Sequence, residues 1–243
     1  SEAVFLAKED GVLAGLDVVH RVFERIDPSV IFIERFRDGA AFRASDALAR
    51  VKGPTTALLK GERTALNFLQ RLCGVATLTR RYVEAISGTR TQVLDTRKTT
   101  PGLRVLEKYA VKVGGGTNHR LSLSDMVLVK DNHLRQVGSV TEAVKRARAK
   151  VRPGIRVEVE AGDLLQVREA LAAGADMIML DNMTLEMIRQ AVSLAASRVP
   201  LEASGNMTLD RVRAVAETGV DFISVGALTH SAPAIDISLE FKG

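Results

Sequence analysis

Six short strand candidates, at residues 91–94, 126–129, 156–159, 177–180, 200–203 and 222–225, alternate with stretches of helical character. Several are apolar at every position, as expected for parallel strands covered on both faces. Asp163, Thr184 and Thr208 are placed to cap following helices, and Gly174 and Gly219 to stop preceding ones. Residues 173–178 (Ala-Gly-Ala-Asp-Met-Ile) are echoed weakly by residues 218–223 (Thr-Gly-Val-Asp-Phe-Ile). Serial βα units predict an α/β fold, either a parallel barrel or a doubly wound sheet.

The pattern changes near residue 62. Before it, strand-like runs at 3–7, 30–35, 47–52 and 55–60 surround one amphipathic helix at about residues 17–26. Asp38-Gly39 reads as a hairpin turn. From 62 to about 81 the spacing turns helical, with Leu66, Leu69, Leu72 and Val75 near one face. The run at 235–241 reads as a strand that returns to the first domain. The expected organisation is a small α+β unit over 1–62, joined by a tail at about 231–243, and a domain of serial βα units over 63–230.

The 243 residues carry a formal charge of +5, with the Lys and Arg dispersed and no long basic run. That distribution favours a basic site for a small anion over nucleic acid. No apolar run reaches the ~20 residues of a membrane span, and no signal peptide is visible. The one cysteine, Cys73, sits in helical sequence and is expected to be a buried structural thiol rather than a nucleophile, in a reducing, cytoplasmic setting.

Polar residues follow each strand candidate in turn: Asp95-Thr96-Arg97-Lys98, Lys130-Asp131-Asn132-His133, Glu160, Asp181-Asn182, Ser204-Gly205-Asn206 and Gly226. Active sites of such folds sit at the carboxyl ends of the strands. One polar residue there could simply cap a helix; six consecutive cases are harder to dismiss. Arg97, Lys98, His119-Arg120 (after the flexible Gly114-Gly115-Gly116) and Lys130 would crowd positive charge unless an anion neutralised it, and guanidinium forks suit carboxylates and phosphates. Glu160 and Asp181, at adjacent strand ends, could bind Mg²⁺, hold ribose hydroxyls, stabilise an oxocarbenium-like charge, or only offset the nearby cations. No His/Cys spacing suggests zinc. Ser204 to Asn206 and Val225-Gly226-Ala227 are placed for phosphate binding by backbone N–H groups.

At these residues the chain resembles the quinolinate phosphoribosyltransferase family. The resemblance is carried by residues 62–67 (Glu-Arg-Thr-Ala-Leu-Asn), 95–99 (Asp-Thr-Arg-Lys-Thr), 108–111 (Lys-Tyr-Ala-Val), 114–120 (Gly-Gly-Gly-Thr-Asn-His-Arg), 130–133 (Lys-Asp-Asn-His), 180–182 (Leu-Asp-Asn) and 225–230 (Val-Gly-Ala-Leu-Thr-His). It covers essentially the whole chain, and the segments at 95–99 and 114–120 are highly specific.

The resemblance implies an incomplete α/β barrel beside an α/β sandwich, and an enzyme of NAD biosynthesis that uses quinolinate, phosphoribosyl pyrophosphate and Mg²⁺. It implies a quinolinate pocket formed by Arg97, Lys98, His119, Arg120 and Lys130, with Thr96 adjoining. Arg63 would reach the neighbouring subunit's site in a dimer or larger assembly. Glu160 and Asp181 would serve the phosphoribosyl group and its Mg²⁺, and, with Lys130, count as the catalytic set. Residues 204–206 and 225–227 would hold the 5′-phosphate. Two departures stand out. The family pattern has a further helical segment ahead of the position of Ser1, and Asn206 stands where many members have glycine, though asparagine tolerates unusual backbone angles. The rival readings are a paralogue associated with molybdate transport genes, a phosphate-binding aldolase using Lys130 as a Schiff-base amine, and a non-catalytic nucleic-acid-binding protein.

Overall fold

A computed structural model describes residues 1–242 and divides them into two compact units. In chain order the elements are β1 (Glu2–Ala7), β2 (Gly11–Val12), α1 (Leu16–Ile26), β3 (Ile31–Glu34), β4 (Ala41–Phe42), β5 (Ala47–Lys52) and α2 (Thr55–Ala85). Next come β6 (Gln92–Leu94), α3 (Arg104–Val113), β7 (Met126–Val129), α4 (Asp131–Val137), α5 (Val140–Lys150), β8 (Arg156–Ala161) and α6 (Leu164–Ala172). The chain continues through β9 (Met177–Asp181), α7 (Leu185–Ala195), β10 (Leu201–Ser204), α8 (Leu209–Ala216), β11 (Phe222–Ser224), α9 (Ala227–His230) and β12 (Ile237–Phe241).

The first unit takes Ser1–Arg81, Lys98–Gly116 and the chain from Ala227 on. Its main sheet runs β12-β1-β5-β3, antiparallel throughout, with the tail strand β12 pairing β1 so that Phe5 faces Leu239. The alternating burial of β1 turns Ala3, Phe5 and Ala7 inward onto α1 and α2, where Val19, Phe23, Leu58 and Leu69 complete an apolar core.

Two expectations are corrected here. Residues 55–60 are not a strand but the opening turns of α2, which starts after Pro54, whose carbonyl accepts the Ala57 and Leu58 amides. Proline's fixed φ suits a helix start, and the apolar content alone could not separate the two states. Asp38-Gly39 is not a hairpin turn either, because β3 pairs β5 while β4 pairs β2. The Asp38 carboxylate instead accepts from the Gly15 amide at 2.6 Å, at the start of α1, and from the Tyr109 hydroxyl at 2.7 Å. Burial, then the Asp38 charge, holds that phenol above its usual range.

The second unit, Tyr82–Arg97 with Thr117–Gly226, contains one parallel sheet of six strands in the order β6-β11-β10-β9-β8-β7. Strand β6 opens the series and β7 follows it in sequence, yet they lie at opposite edges. The gap between them makes this an incomplete barrel. β9 is buried from Met177 to Leu180, as expected for a strand covered on both faces. Asp163 accepts from the Gln166 amide at 2.8 Å and Thr184 from the Met187 amide at 3.3 Å, so both cap as expected. Thr208 occupies the N-cap of α8 without a side-chain cap.

Candidate active site

Right-handed βα crossovers in a parallel sheet bring the carboxyl ends of all its strands to one side. Asp95 follows β6 and is fully buried. Its Oδ1 accepts from the His119 amide at 2.8 Å, while the Thr117 amide donates to Val93 at 2.8 Å. The segment after the three glycines is thereby fastened alongside β6. That brings two half-buried guanidinium groups, Arg97 and Arg120, close enough to repel. Burial, then the charge of Arg97, lowers the pKa of Arg120. Arg120 is oriented by a 2.8 Å bond from Nη1 to the Met126 carbonyl. Thr96 precedes Arg97 and is itself half-buried.

Glu160 and Asp181 close β8 and β9 and line a cleft of about 470 Å³ that Asp131, Asp163 and Glu169 also border. Burial, then the Asp181 charge, raises the Glu160 pKa, with Lys130 opposing. Lys130 is exposed at the N-cap of α4, and its amide donates to His133 Nδ1 at 3.1 Å. This all-oxygen set suits a hard divalent cation, whose charge would relieve the repulsion that the two acids impose on each other.

The loop after β10 is tightly specified. Gly205 has φ 96°, and a Cβ there would lie 2.2 Å from Asn182 Oδ1. Asn206 has φ 49°, the left-handed region that asparagine tolerates. Arg211 braces the loop with a 2.8 Å bond to the Met183 carbonyl and one of 3.3 Å to Gly205, and Tyr82 donates to Met207 at 3.0 Å. Val225 is buried, and its amide donates to Leu94 at 2.9 Å; Gly226 follows it.

Behind Arg120 lies a group that sequence reading did not assemble. His119 Nε2 is 3.1 Å from Glu158 Oε2 and 3.2 Å from Glu202 Oε2, and both acid side chains are fully buried. Burial works against a charged ring, but the hydrogen bonds and charges of the two acids raise the His119 pKa to about 9. Burial above all raises that of Glu158. At Nδ1 the ring instead accepts the Arg120 amide at 2.8 Å, which disfavours a proton there. Strand alternation puts Glu158 and Glu160 on one side of β8, and Glu202 stands inside the run at 200–203. An acid in the middle of such a run was the available signal.

Arg63, Lys98 and Ala227 belong to the first unit. Arg63 is exposed on α2, Lys98 is exposed, and Ala227 begins α9. A second unforeseen group lies in this unit. Arg71 donates to Glu107 Oε1 at 2.7 Å and to the Ala232 carbonyl at 2.8 Å, while Glu107 accepts from the Thr100 amide at 2.9 Å. Thr229 Oγ1 donates to the Lys98 carbonyl at 2.7 Å. A cavity of about 610 Å³ also lies here, between α1 and Thr64, but its lining holds one acid and two arginines with no convergent site chemistry.

Comparison with known proteins decides the family. The profile of the quinolinate phosphoribosyl transferase N-terminal domain matches residues 1–73, and that of the C-terminal domain matches residues 75–240. The chain belongs to the quinolinate phosphoribosyl transferase family. A probable nicotinate-nucleotide pyrophosphorylase [carboxylating] of Synechocystis sp. is 48% identical over 242 residues, covering 98% of this chain and 82% of that protein. Its counterpart of the same printed name in Bacillus subtilis is 44% identical, covering 98% and 83%. The crystal structure of NadC from Streptococcus pyogenes superposes with a TM-score of 0.96 at 48% identity, over 99% of this chain and 85% of that one. The quinolinate phosphoribosyl transferase fold of this chain is therefore one seen experimentally in a close relative.

Proposed function

We propose that this chain transfers the phosphoribosyl group of phosphoribosyl pyrophosphate to quinolinate, releasing pyrophosphate and CO₂ and leaving nicotinate mononucleotide for NAD biosynthesis. The observation that carries the reading is the closeness of Arg97 and Arg120 at the strand ends, in the segments that match the family. Two half-buried guanidinium groups held together call for a ligand with two negative groups, and quinolinate carries two adjacent carboxylates. Lys98, next in the chain, and Lys130 add to the cationic set.

Mechanism follows from charge. The C1–O bond to pyrophosphate breaks with its electron pair leaving on oxygen, and the pyridine nitrogen supplies the pair for the new N–C1 bond. The ring nitrogen becomes cationic and accepts the electrons left when the 2-carboxylate departs as CO₂; a proton from water then takes its place on carbon. No protein nucleophile is needed. Glu160 and Asp181 favour the positive charge that grows at the anomeric carbon. The same two acids would hold Mg²⁺, directly or through water or substrate, and Mg²⁺ when bound offsets the charge of the pyrophosphate. Residues 204–206 and 225–227 hold the 5′-phosphate through backbone N–H groups.

A homodimer in which Arg63 of one subunit enters the site of the other, and which assembles further or not, belongs to this reading and is supported by the family match and by the exposure of Arg63 on α2. So does a cytoplasmic setting, which suits the single free thiol. Among the described residues no helix is long and apolar enough to cross a membrane.

The test is to combine purified protein with quinolinate, phosphoribosyl pyrophosphate and Mg²⁺ and follow nicotinate mononucleotide and CO₂, beside an Arg97→Ala variant. Product is expected from the parent, with kcat/KM for quinolinate about 100-fold lower or worse in the variant, the scale for truncating one partner of a buried charge pair. A folded parent that makes no product overturns the reading.

A further inference from the structure

Barrel interiors are usually filled by branched aliphatic side chains, yet here Glu158 of β8 and Glu202 of β10 point inward, each fully buried. Removing two carboxylates from water is costly, and a partner repays this only if the remaining oxygens are also satisfied. They are not. Among the described residues Glu158 Oε1 and Glu202 Oε1 have no hydrogen-bond partner, and Glu202 Oε2 lies 3.2 Å from His119 Nε2, the same ring nitrogen that is paired with Glu158. Well-packed apolar residues would serve stability at least as well, so stability does not account for the acids.

Both acids meet the same side chain, His119, and that side chain leads to the substrate pocket. The His119 ring is held at Nε2 by the two acids and at Nδ1 by the Arg120 amide at 2.8 Å, while the His119 amide donates to Asp95 at 2.8 Å. With both ring nitrogens engaged by the protein and the side chain only 8% exposed, His119 is placed to hold Arg120 rather than to hydrogen-bond a ligand. The acids also set negative charge behind guanidinium groups that otherwise repel: Glu158 supports the charged form of Arg120 against burial and Arg97.

We infer that Glu158 and Glu202 are positioning residues of the carboxylate pocket, acting through the His119 ring to fix Arg120 beside Arg97. This rests on the reading of Arg97 and Arg120 as the quinolinate-binding pair. It assigns His119 an inward role in place of direct contact with quinolinate. A stacked relay of acid, imidazole and backbone lets the pocket hold two cations close together before the substrate arrives, which lowers the reorganisation needed on binding.

The test compares the parent with Glu158→Gln and Glu202→Gln, which keep side-chain shape, and with Glu202→Leu, which removes the polar group. Quinolinate binding is measured by calorimetry without phosphoribosyl pyrophosphate, steady-state constants for both substrates are determined, and thermal melts confirm folding. The Gln variants are expected to melt at or above the parent temperature. Their quinolinate Kd and KM should rise about tenfold or more, the scale of a lost hydrogen bond to a charged group, while KM for phosphoribosyl pyrophosphate stays within about twofold. Folded Gln variants that bind quinolinate like the parent overturn the inference. So does a stoichiometric divalent metal in the purified parent, since His119, Glu158 and Glu202 offer atoms close enough to ligate one. An inert parent would overturn the activity and this role together, and is distinguishable because in the first two cases the parent remains active.

Discussion

At the scale of single residues, environment separates groups that look alike in sequence. Cys73 is an ordinary cysteine by composition, but it is fully buried, with Sγ against the Ala14 backbone, and burial pushes its thiol up to about 12. The folded pKa lies above the ordinary 9.0, so folding favours the protonated thiol. Its contribution to stability is full below about pH 9 and is lost as pH rises toward about 12. Native protein should therefore resist iodoacetamide at pH 8 and react only after unfolding, read by mass spectrometry; rapid native alkylation would contradict the buried placement. Gly205 is the second case. Alanine there would sit at φ 96° with its Cβ 2.2 Å from Asn182 Oδ1. The left-handed backbone alone costs about 1–2 kcal/mol. Gly205→Ala is expected to raise KM for phosphoribosyl pyrophosphate more than KM for quinolinate, which steady-state kinetics will resolve.

At the scale of elements, the strands of the parallel sheet were legible because short, largely apolar runs bounded by polar residues and alternating with helical spacing have few other uses. Starts and stops followed from capping chemistry at Asp163 and Thr184 and from Gly174 and Gly219, which follow their helices with φ of 75° and 90°. Helix α2 was legible only from residue 62 onward. Its first turns carry β-compatible residues, and the helix is fixed there by Pro54 and by burial of Ala57 and Leu58, not by intrinsic preference. Its middle meets the tail so closely that a Cβ on Gly74 would lie 1.9 Å from the Pro233 carbonyl. Gly74→Ala is expected to cost about 1–3 kcal/mol or more through overpacking, measured as a lower denaturant midpoint with unchanged slope. A variant as stable as the parent would show that the close approach relaxes freely.

At the scale of the whole molecule, the first unit is assembled from three stretches of chain. β1 is paired on one side by β5 and on the other by β12, and Ile237 and Leu239 enter the same core as Phe5. A fragment ending at residue 81 would leave that edge of β1 unpaired and part of the core open to water. It is expected to aggregate or remain unfolded by circular dichroism, whereas the full chain folds. A monomeric, cooperatively melting fragment would contradict this account.

The sequence by itself determined the class of fold, the order of the βα units, the end of the sheet that carries the chemistry and the family. These depend on local periodicity, on capping groups and on residue types at strand ends, all of which are read along the chain. Tertiary structure decided which groups meet. Glu158 and Glu202 are 44 positions apart in the numbering and each lies in a strand that sequence reading treated as core. Only the parallel register, with β9 between them, and the fastening of residues 117–119 alongside β6 bring both acids to one imidazole. Arg71 and Glu107 likewise become a pair only when α2 and α3 pack. Long-range electrostatic pairing leaves no periodic trace, because its energy depends on distances and burial that exist only once the chain has folded.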